Sequence, residues 1–282
     1  MASETTNTTL NDLLAPIVAE ALFVANEKSI MRGLVRNFTV PARSGKTIQV
    51  PIYPVVTAAA VGEATDLGNT AVSTNVANLT VSEVGIMATL TDLALNTSKS
   101  DVISDLGRLF GEAIAKKIDT DLTALFTGFS TADIGAAGTE LEVVDLFKAA
   151  ATLRANSVPG PYYGVFNPKA IYNVKKGLTN TFDGSRTADL ANEAMRTGYV
   201  ATIAGIQIFE TPNVDGTTDT DASINGIFSR DALGLAMMQD LKIETQRDAS
   251  LRATEVVATA VYGTGELHDS YGQKITAEAV LN

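Results

Sequence analysis

Between Ser98 and Gly128 apolar residues recur at three- and four-residue steps, at Val102, Leu106, Leu109, Phe110, Ala113, Ile114, Ile118, Leu122 and Leu125. That spacing draws one stripe down a helix of period 3.6. Asp105, Arg108, Glu112, Lys116, Asp119 and Thr123 fall on the opposite side, so the predicted rod is half-buried and is no membrane span. Ser98 followed by Asp101 has capping-box spacing, and Gly128 suits a helix end. About 26 helical residues at roughly 1.5 Å rise give a rod of about 39 Å. A rod of that length can serve as a spine across which a plate is built. An ordinary long surface helix of an α+β domain fits the same pattern.

Upstream, residues 1–9 are polar and expected to be loose. Leu10, Leu13, Leu14, Ile17, Val18, Ala21, Leu22 and Val24 then predict one or two short amphipathic helices, with Pro16 near a helix start, reaching to Leu34. They form either an N-terminal arm or a helix packed on its own core. From Phe38 to Leu93 the pattern changes to strand. FTVPARSGKTIQVPIYPVV alternates through Thr47, Ile48, Gln49 and Val50 and carries three prolines, which suits an edge. A glycine- and threonine-rich stretch separates it from LTVSEVGIMATLTDL, and the two runs predict a long hairpin around a tip of small residues. Such a hairpin buries little of itself and leaves edges open unless a partner covers it.

Beyond the rod, TGFSTADIGAAGTE reads as a loop, and Leu141 to Ala155 as a helix with Leu141, Val144, Phe147 and Ala151 on one face. SVPGP breaks it, Tyr162 to Phe166 is a strand, and Asn167-Pro168 opens a further helix. Thr179 to Arg196 is polar, with NTFDGSR expected to be mobile. Tyr199 to Glu210 predicts a strand pair turning at Ala204-Gly205, and NVDGTTDTDASING a loop. Ile227 to Met238, Leu241 to Thr245, Val256 to Tyr262 and Gln273 to Ala279 finish the chain as strands and short helices. No repeat of 20–50 residues is found, which argues against a solenoid.

At 282 residues with 45% hydrophobic content, the chain can bury one large core or two smaller ones. It has no cysteine, which excludes disulfides and thiolate metal sites. MASETTNTTLNDLL carries acidic and hydroxyl residues where a signal peptide has lysines and an apolar core. The net charge of -11 argues against tight binding of DNA or anionic lipid, although an acidic wall can still enclose nucleic acid without adhering to it.

Candidate chemistry is sparse. His268 is the lone histidine, so a metal cluster or a Ser-His-Asp triad would depend on it alone. Its neighbours Glu266, Asp269 and Ser270 fit a solvated loop better. YGTGELH matches half of a dinucleotide-binding glycine motif and has histidine at the third glycine position. Asp221, Ser223, Asn225 and Gly226 imitate the start of a calcium loop, but its twelfth position is Ala232 where a bidentate glutamate belongs. Basic residues are scattered with no stripe interleaved with aromatics. The expectation is therefore a non-enzymatic chain with no catalytic, cofactor-binding or metal-binding residues and no cofactor.

The order of segments carries a resemblance. An amphipathic arm, a long punctuated hairpin and a spine beginning SKSDVISDLGRLFGEAIAKKID resemble the tailed-phage major capsid proteins of the HK97-like fold. VGEATDLGNTAVSTNVANLTVSEVGIMATLTDLALNTS is similar to that family's extended loop and the strand returning to the spine. YYGVFNPKAIYNVKKG resembles its axial-domain strand, Asn-Pro and helix, and GYVATIAGIQIFETPNV its glycine-bounded strands. LKIETQRDASLRATEVVATAVYGTGELHDS resembles its long peripheral-domain strands, so the likeness covers nearly the whole chain.

The resemblance implies an α+β wedge divided into six parts. These are an N-terminal arm over 1–37, an extended loop hairpin over 38–92, and the spine helix with the first part of a peripheral domain over 93–140. An axial domain over 141–239, peripheral-domain strands over 240–265 and a C-terminal segment over 266–282 returning to the axial domain complete it. It further implies a structural late protein of the virion that self-assembles, as hexamers and pentamers, into an icosahedral shell around double-stranded DNA. Its partners would be copies of itself, a separate scaffolding protein, a portal protein and a decoration protein, with only non-specific DNA contact and no membrane. Assembly would take place in the host bacterial cytoplasm. The short stretch before Phe38 leaves no room for a fused scaffold of the kind some members remove. Lys46, the one lysine of the extended loop, sits at its base, which argues against isopeptide cross-linking. Two other readings stand beside this one: an encapsulin-type compartment holding a cargo enzyme, and an acidic surface-array or adhesin protein. A small-molecule enzyme fits least, for want of candidate residues.

Overall fold

The structure, a computed structural model, describes residues 29–41, 43–53, 56, 58, 60–63, 66, 68–69, 71–93, 102–180, 202–214 and 222–280. Most of the expected N-terminal helices, the Ser98 cap, the polar stretch 181–196 and Asp221 lie outside them. The main sheet is built around two long strands, β8 (Leu233–Asp248) and β9 (Ala253–Glu266), paired antiparallel from Leu233↔Glu266 to Asp248↔Ala253. β4 (Ser82–Thr91) adds antiparallel to β9, and β1 (Arg36–Thr39) adds parallel to β8, giving the order β1-β8-β9-β4. The long helix α2 (Val102–Ala124) lies on one face of this sheet and continues as a 3-10 turn, Leu125–Gly128. Its Phe110, Ile114, Ile118 and Leu122 enter one core with Leu235, Ile243, Val256, Ala258 and Ala260. Each large side chain so buried contributes about 1.5–3 kcal/mol from apolar surface removed from water.

A short helix α1 (Met31–Leu34) precedes β1. β2 (Thr47–Ile52) and β3 (Asn75–Thr80) pair antiparallel as a separate two-stranded ribbon, from Thr47↔Thr80 to Ile52↔Asn75. The run expected to form one return strand is thus two: residues 75–80 pair with β2, and 82–91 turn away to pair with β9. The cause is a change of phase. Leu79 and Val81 are buried at odd positions, whereas Val84, Ile86, Ala88 and Leu90 pack inward at even ones.

The second sheet has the order β10-β7-β5-β6 and is made of β5 (Tyr162–Phe166), β6 (Ile206–Glu210), β7 (Ala222–Ser229) and β10 (Gly272–Glu278). Helices α3 (Val143–Ala155) and α4 (Pro168–Asn180) share its core, where Leu146, Leu153, Phe166, Ile171, Ile206 and Ile227 are fully buried. Ala204 and Gly205, both at positive φ, make the turn expected before β6. The main core reaches the second sheet at an aromatic seam in which the Phe126 ring lies 5.5 Å from Phe228 of β7 and 5.9 Å from Phe129. Gly226 permits it, since a Cβ there would sit 2.7 Å from the Phe126 ring.

Two expected elements differ in the structure. β8 runs unbroken through the separation foreseen after Met238, absorbing Met238, Asp240 and Leu241 in register shifts on either side of the Gln239↔Val261 pair. The division foreseen between 239 and 240 therefore falls inside a strand. On α3 the foreseen face is turned round: Leu146, Ala149, Ala150 and Leu153 are buried, while Val144 and Phe147 are exposed.

Candidate functional site

The residues singled out for chemistry are dispersed. The His268 ring stacks on Tyr271 at 4.4 Å, and its partial burial lowers its affinity for a proton, with Asp231 opposing and Arg36 adding to that effect. Asp269 accepts from the backbone of Ser130 at 2.7 Å, which ties it to the loop after α2. Burial raises the Glu266 carboxyl, and the neighbouring Asp269 charge adds to it. Gly263 and Gly265 of the partial glycine motif lie within β9, not at a strand-to-helix turn. Ser223, Asn225 and Gly226 lie in β7, where buried Asn225 donates to the Ser223 and Ile275 carbonyls and accepts from the Asn167 amide. No group of three or more His, Cys, Asp or Glu able to hold a metal ion is found among the described residues.

The feature that stands out is the β2–β3 ribbon. Its base is fastened by Leu79, which is fully buried with Val40, Val81, Ala236 and Leu267. Glycines make the seat: a Cβ on Gly265 would lie 2.6 Å from Leu79, and one on Gly263 2.2 Å from the Thr80 carbonyl oxygen. A side chain at Gly263 would push β3 off β9, and one at Gly265 would force the Leu79 side chain to shift. The Val81 amide completes the base by donating to the Lys46 carbonyl at 2.8 Å. Lys46 is thus at the root of the ribbon and exposed, as its sequence position suggests.

Past the base, the ribbon leaves the core. β2 shows only half-buried and exposed positions, and Tyr53 is 68% exposed, Val72 52% and Val76 49%. Large apolar side chains held out on a two-stranded ribbon give it no stability of its own. They form an exposed apolar surface.

A second junction is made by α2 itself. Asp119 is fully buried, although the helical period places it on the polar side. It accepts from the Ser29 hydroxyl at 2.7 Å and from the backbone amides of Ile30 at 3.1 Å and Met31 at 3.2 Å. Burial raises its carboxyl above the ordinary value, and the bonds from Ser29, Ile30, Met31 and Asn213 pull it back. Thr123, also foreseen on the polar side, is buried and donates to the Asn213 carbonyl at 3.0 Å. Together they fix the path by which the chain enters from its N-terminal side. At the far end of the sheet, Arg247 grips Asp92 with two bonds of 2.6 Å, and this hydrogen bonding holds the Asp92 carboxyl below its usual range.

This architecture is similar to known structures. The capsid of the cyanophage P-SCSP1u superposes with a TM-score of 0.69 at 19% identity, over 88% of this chain and 88% of that one. The head of Helicobacter pylori bacteriophage KHP40 gives 0.71 at 12% identity, over 89% and 91%. The capsid of a native GTA particle gives 0.68 at 12% identity, over 89% and 90%. No curated protein matches the sequence. The family model described as phage capsid protein matches residues 74–272, from the strand of the ribbon that carries Leu79 to the start of β10. On that match, which spans most of the described fold, the chain belongs to the phage capsid protein family.

Proposed function

We propose that the chain is a major capsid protein whose copies, in groups of six and five around local axes, close an icosahedral shell around double-stranded DNA. The observation that carries this reading is the β2–β3 ribbon, anchored by Leu79 with Ile48, Val50 and Ala77 half-buried on that anchor, and with Tyr53, Val72 and Val76 exposed among the described residues. An arm with Tyr53, Val72 and Val76 exposed gains burial only by lying across another subunit. The family membership supports a structural rather than an enzymatic role.

In this reading the β1-β8-β9-β4 sheet with α2 is the peripheral domain, and the β10-β7-β5-β6 sheet with α3 and α4 is the axial domain. The ribbon is the extended loop, and the chain before Met31 is an arm tethered at Asp119. β8 and β9 pass from near the axial domain out to the peripheral tip, so one hairpin couples the two. The shell stands in the virion and forms in the host cytoplasm. Scaffolding, portal and decoration proteins are its proposed partners, and contact with DNA is non-specific, in keeping with the net charge of -11.

Electron microscopy of the purified protein, alone and with its scaffolding protein, tests this. Closed polyhedral shells with the scaffold, and aberrant or open assemblies without it, are expected. Discrete small oligomers under both conditions would refute the reading.

A further inference from the structure

The ribbon carries its charges only at its two ends. Between residues 43 and 80 the charged residues are Arg43, Lys46, Glu63 and Asp66. Sixteen uncharged residues separate Lys46 from Glu63, and no further charge follows Asp66 until Glu83. Arg43 and Lys46 stand at the root, in the exposed turn before β2. Ser44 fastens that turn by donating its hydroxyl to the Pro41 carbonyl at 2.6 Å, and Arg43 and Gly45 take positive φ of 70° and 97°. Glu63 stands halfway in sequence between Ile52 and Asn75, the last pair of the ladder, with Asp66 three residues on, and both are exposed.

Other cations near the root find acids within the chain. Arg32 pairs with Asp240 at 3.0 Å and Arg36 with Asp231 at 3.3 Å. Arg43, Lys46, Glu63 and Asp66 make no ion pair with any described residue. By Ile52 β2 has carried the chain about 17 Å from Lys46, so the two ends of one ribbon do not neutralise each other. Opposite charge at opposite ends gives the ribbon a direction. Two ribbons lying side by side in the same sense set like charges against each other at both ends, whereas tip against root sets opposite charges together. Exposed pairs add little affinity, so their effect is on which arrangement is allowed. The neutral stretch between the ends, with Tyr53, Val72 and Val76 exposed, is covered by the same contact.

We propose that Glu63 and Asp66 at the ribbon tip of one copy seat on Arg43 and Lys46 at the ribbon root of a second copy. That the ribbon lies across another copy rests on the self-assembly reading above; the charges assign where on that copy the tip lands. Such a contact uses a different patch on each partner, and a series of them closes into a ring about a rotation axis.

Charge reversal tests it in the full-length chain. Arg43→Glu with Lys46→Glu, and separately Glu63→Lys with Asp66→Lys, are each expected to keep the subunit Tm and to raise the concentration for half-assembly about tenfold. The tip reversal makes the acidic chain less negative, so relief of general repulsion acts the other way. Mixed in equal amounts, the two variants are expected to recover assembly to within about threefold of wild type, because each offers the tip that the other's root lacks. A contact inside one chain cannot give that recovery. Where a reversal lowers the Tm, the neutral pairs Arg43→Gln with Lys46→Gln and Glu63→Gln with Asp66→Asn replace it, and combining them is expected to cost no more than the worse pair alone. Normal assembly of either reversed variant, a mixture no better than its components, or losses that multiply in the neutral combination overturns the proposal and leaves the shell reading standing. A wild-type chain that never assembles overturns both.

Discussion

The hydroxyl of Ser29 donates to Oδ1 of Asp119 at 2.7 Å, joining groups 90 positions apart. With the Ile30 and Met31 amides on the same carboxyl, Asp119 does for the entry of α1 what a capping residue does locally, but from another helix. Asp119→Ala is expected to lower subunit stability by about 2–3 kcal/mol, because it orphans buried donors as well as removing charge-assisted bonds. Urea unfolding measures it.

The pH dependence of that site has a definite sign. The folded carboxyl is raised above 3.8, so its contribution is complete below 3.8 and declines as pH rises through the folded value. Wild type is therefore expected to gain stability relative to Asp119→Asn as pH falls towards 3.8. Parallel denaturation series across that range check it; a stability difference that is flat with pH, or runs the other way, would show that the hydrogen bonds outweigh burial.

Leu79→Ala should cost about 2–5 kcal/mol, the usual range for a fully buried leucine in a seat that cannot collapse. The backbones of β3 and β9 already touch at Gly263, so the seat has little freedom to close. Differential scanning calorimetry should show a lowered Tm, with hydrogen exchange rising first at residues 75–81.

Changes further out on the ribbon should behave oppositely. Tyr53→Ser and Val76→Asp touch exposed side chains and are expected to shift subunit stability by no more than about 0.5 kcal/mol. Both should nonetheless suppress assembly. Light scattering against concentration separates the two effects, and a variant that assembles like wild type would remove that residue from the interface.

Much of this fold can be read from periodicity alone. The stripe from Phe110 to Leu122, the Asn-Pro start of α4 and the turn at Ala204-Gly205 all stand where spacing places them. What periodicity misses has one physical cause: a period reports a face, and tertiary partners decide what covers it. Asp119 and Thr123 lie on the polar side of α2 and are buried because Ser29 to Met31 and Asn213 pack there. Leu109 lies on the apolar stripe and stays exposed. α3 has two apolar faces, so spacing could not choose between Val144–Phe147 and Leu146–Leu153. The division of the ribbon's return strand was visible in principle, in the change of parity between Val81 and Val84. The candidate interaction surface was legible as a hairpin too poor in partners; that the buried Asn173 amide finds no hydrogen-bond partner among the described residues was not, since nothing in sequence marks such an amide.

Lys46 bears on how a mature shell would hold together. It is the one lysine of the loop and is rooted beside Val81 at the loop's base. Particles boiled in SDS are expected to run as a single band near 29.6 kDa. A ladder of covalent oligomers would reverse that expectation and make Lys46→Ala the next variant.

The central claim is that the β2–β3 ribbon is completed only by another subunit. An electron cryomicroscopy map of the assembled protein at side-chain resolution tests it most directly. The account predicts Tyr53, Val72 and Val76 buried against a neighbouring subunit, in a contact of the obligate class of about 2,000 Å² or more. A map in which the ribbon folds back on its own sheet, or stands clear of every neighbour, would contradict it.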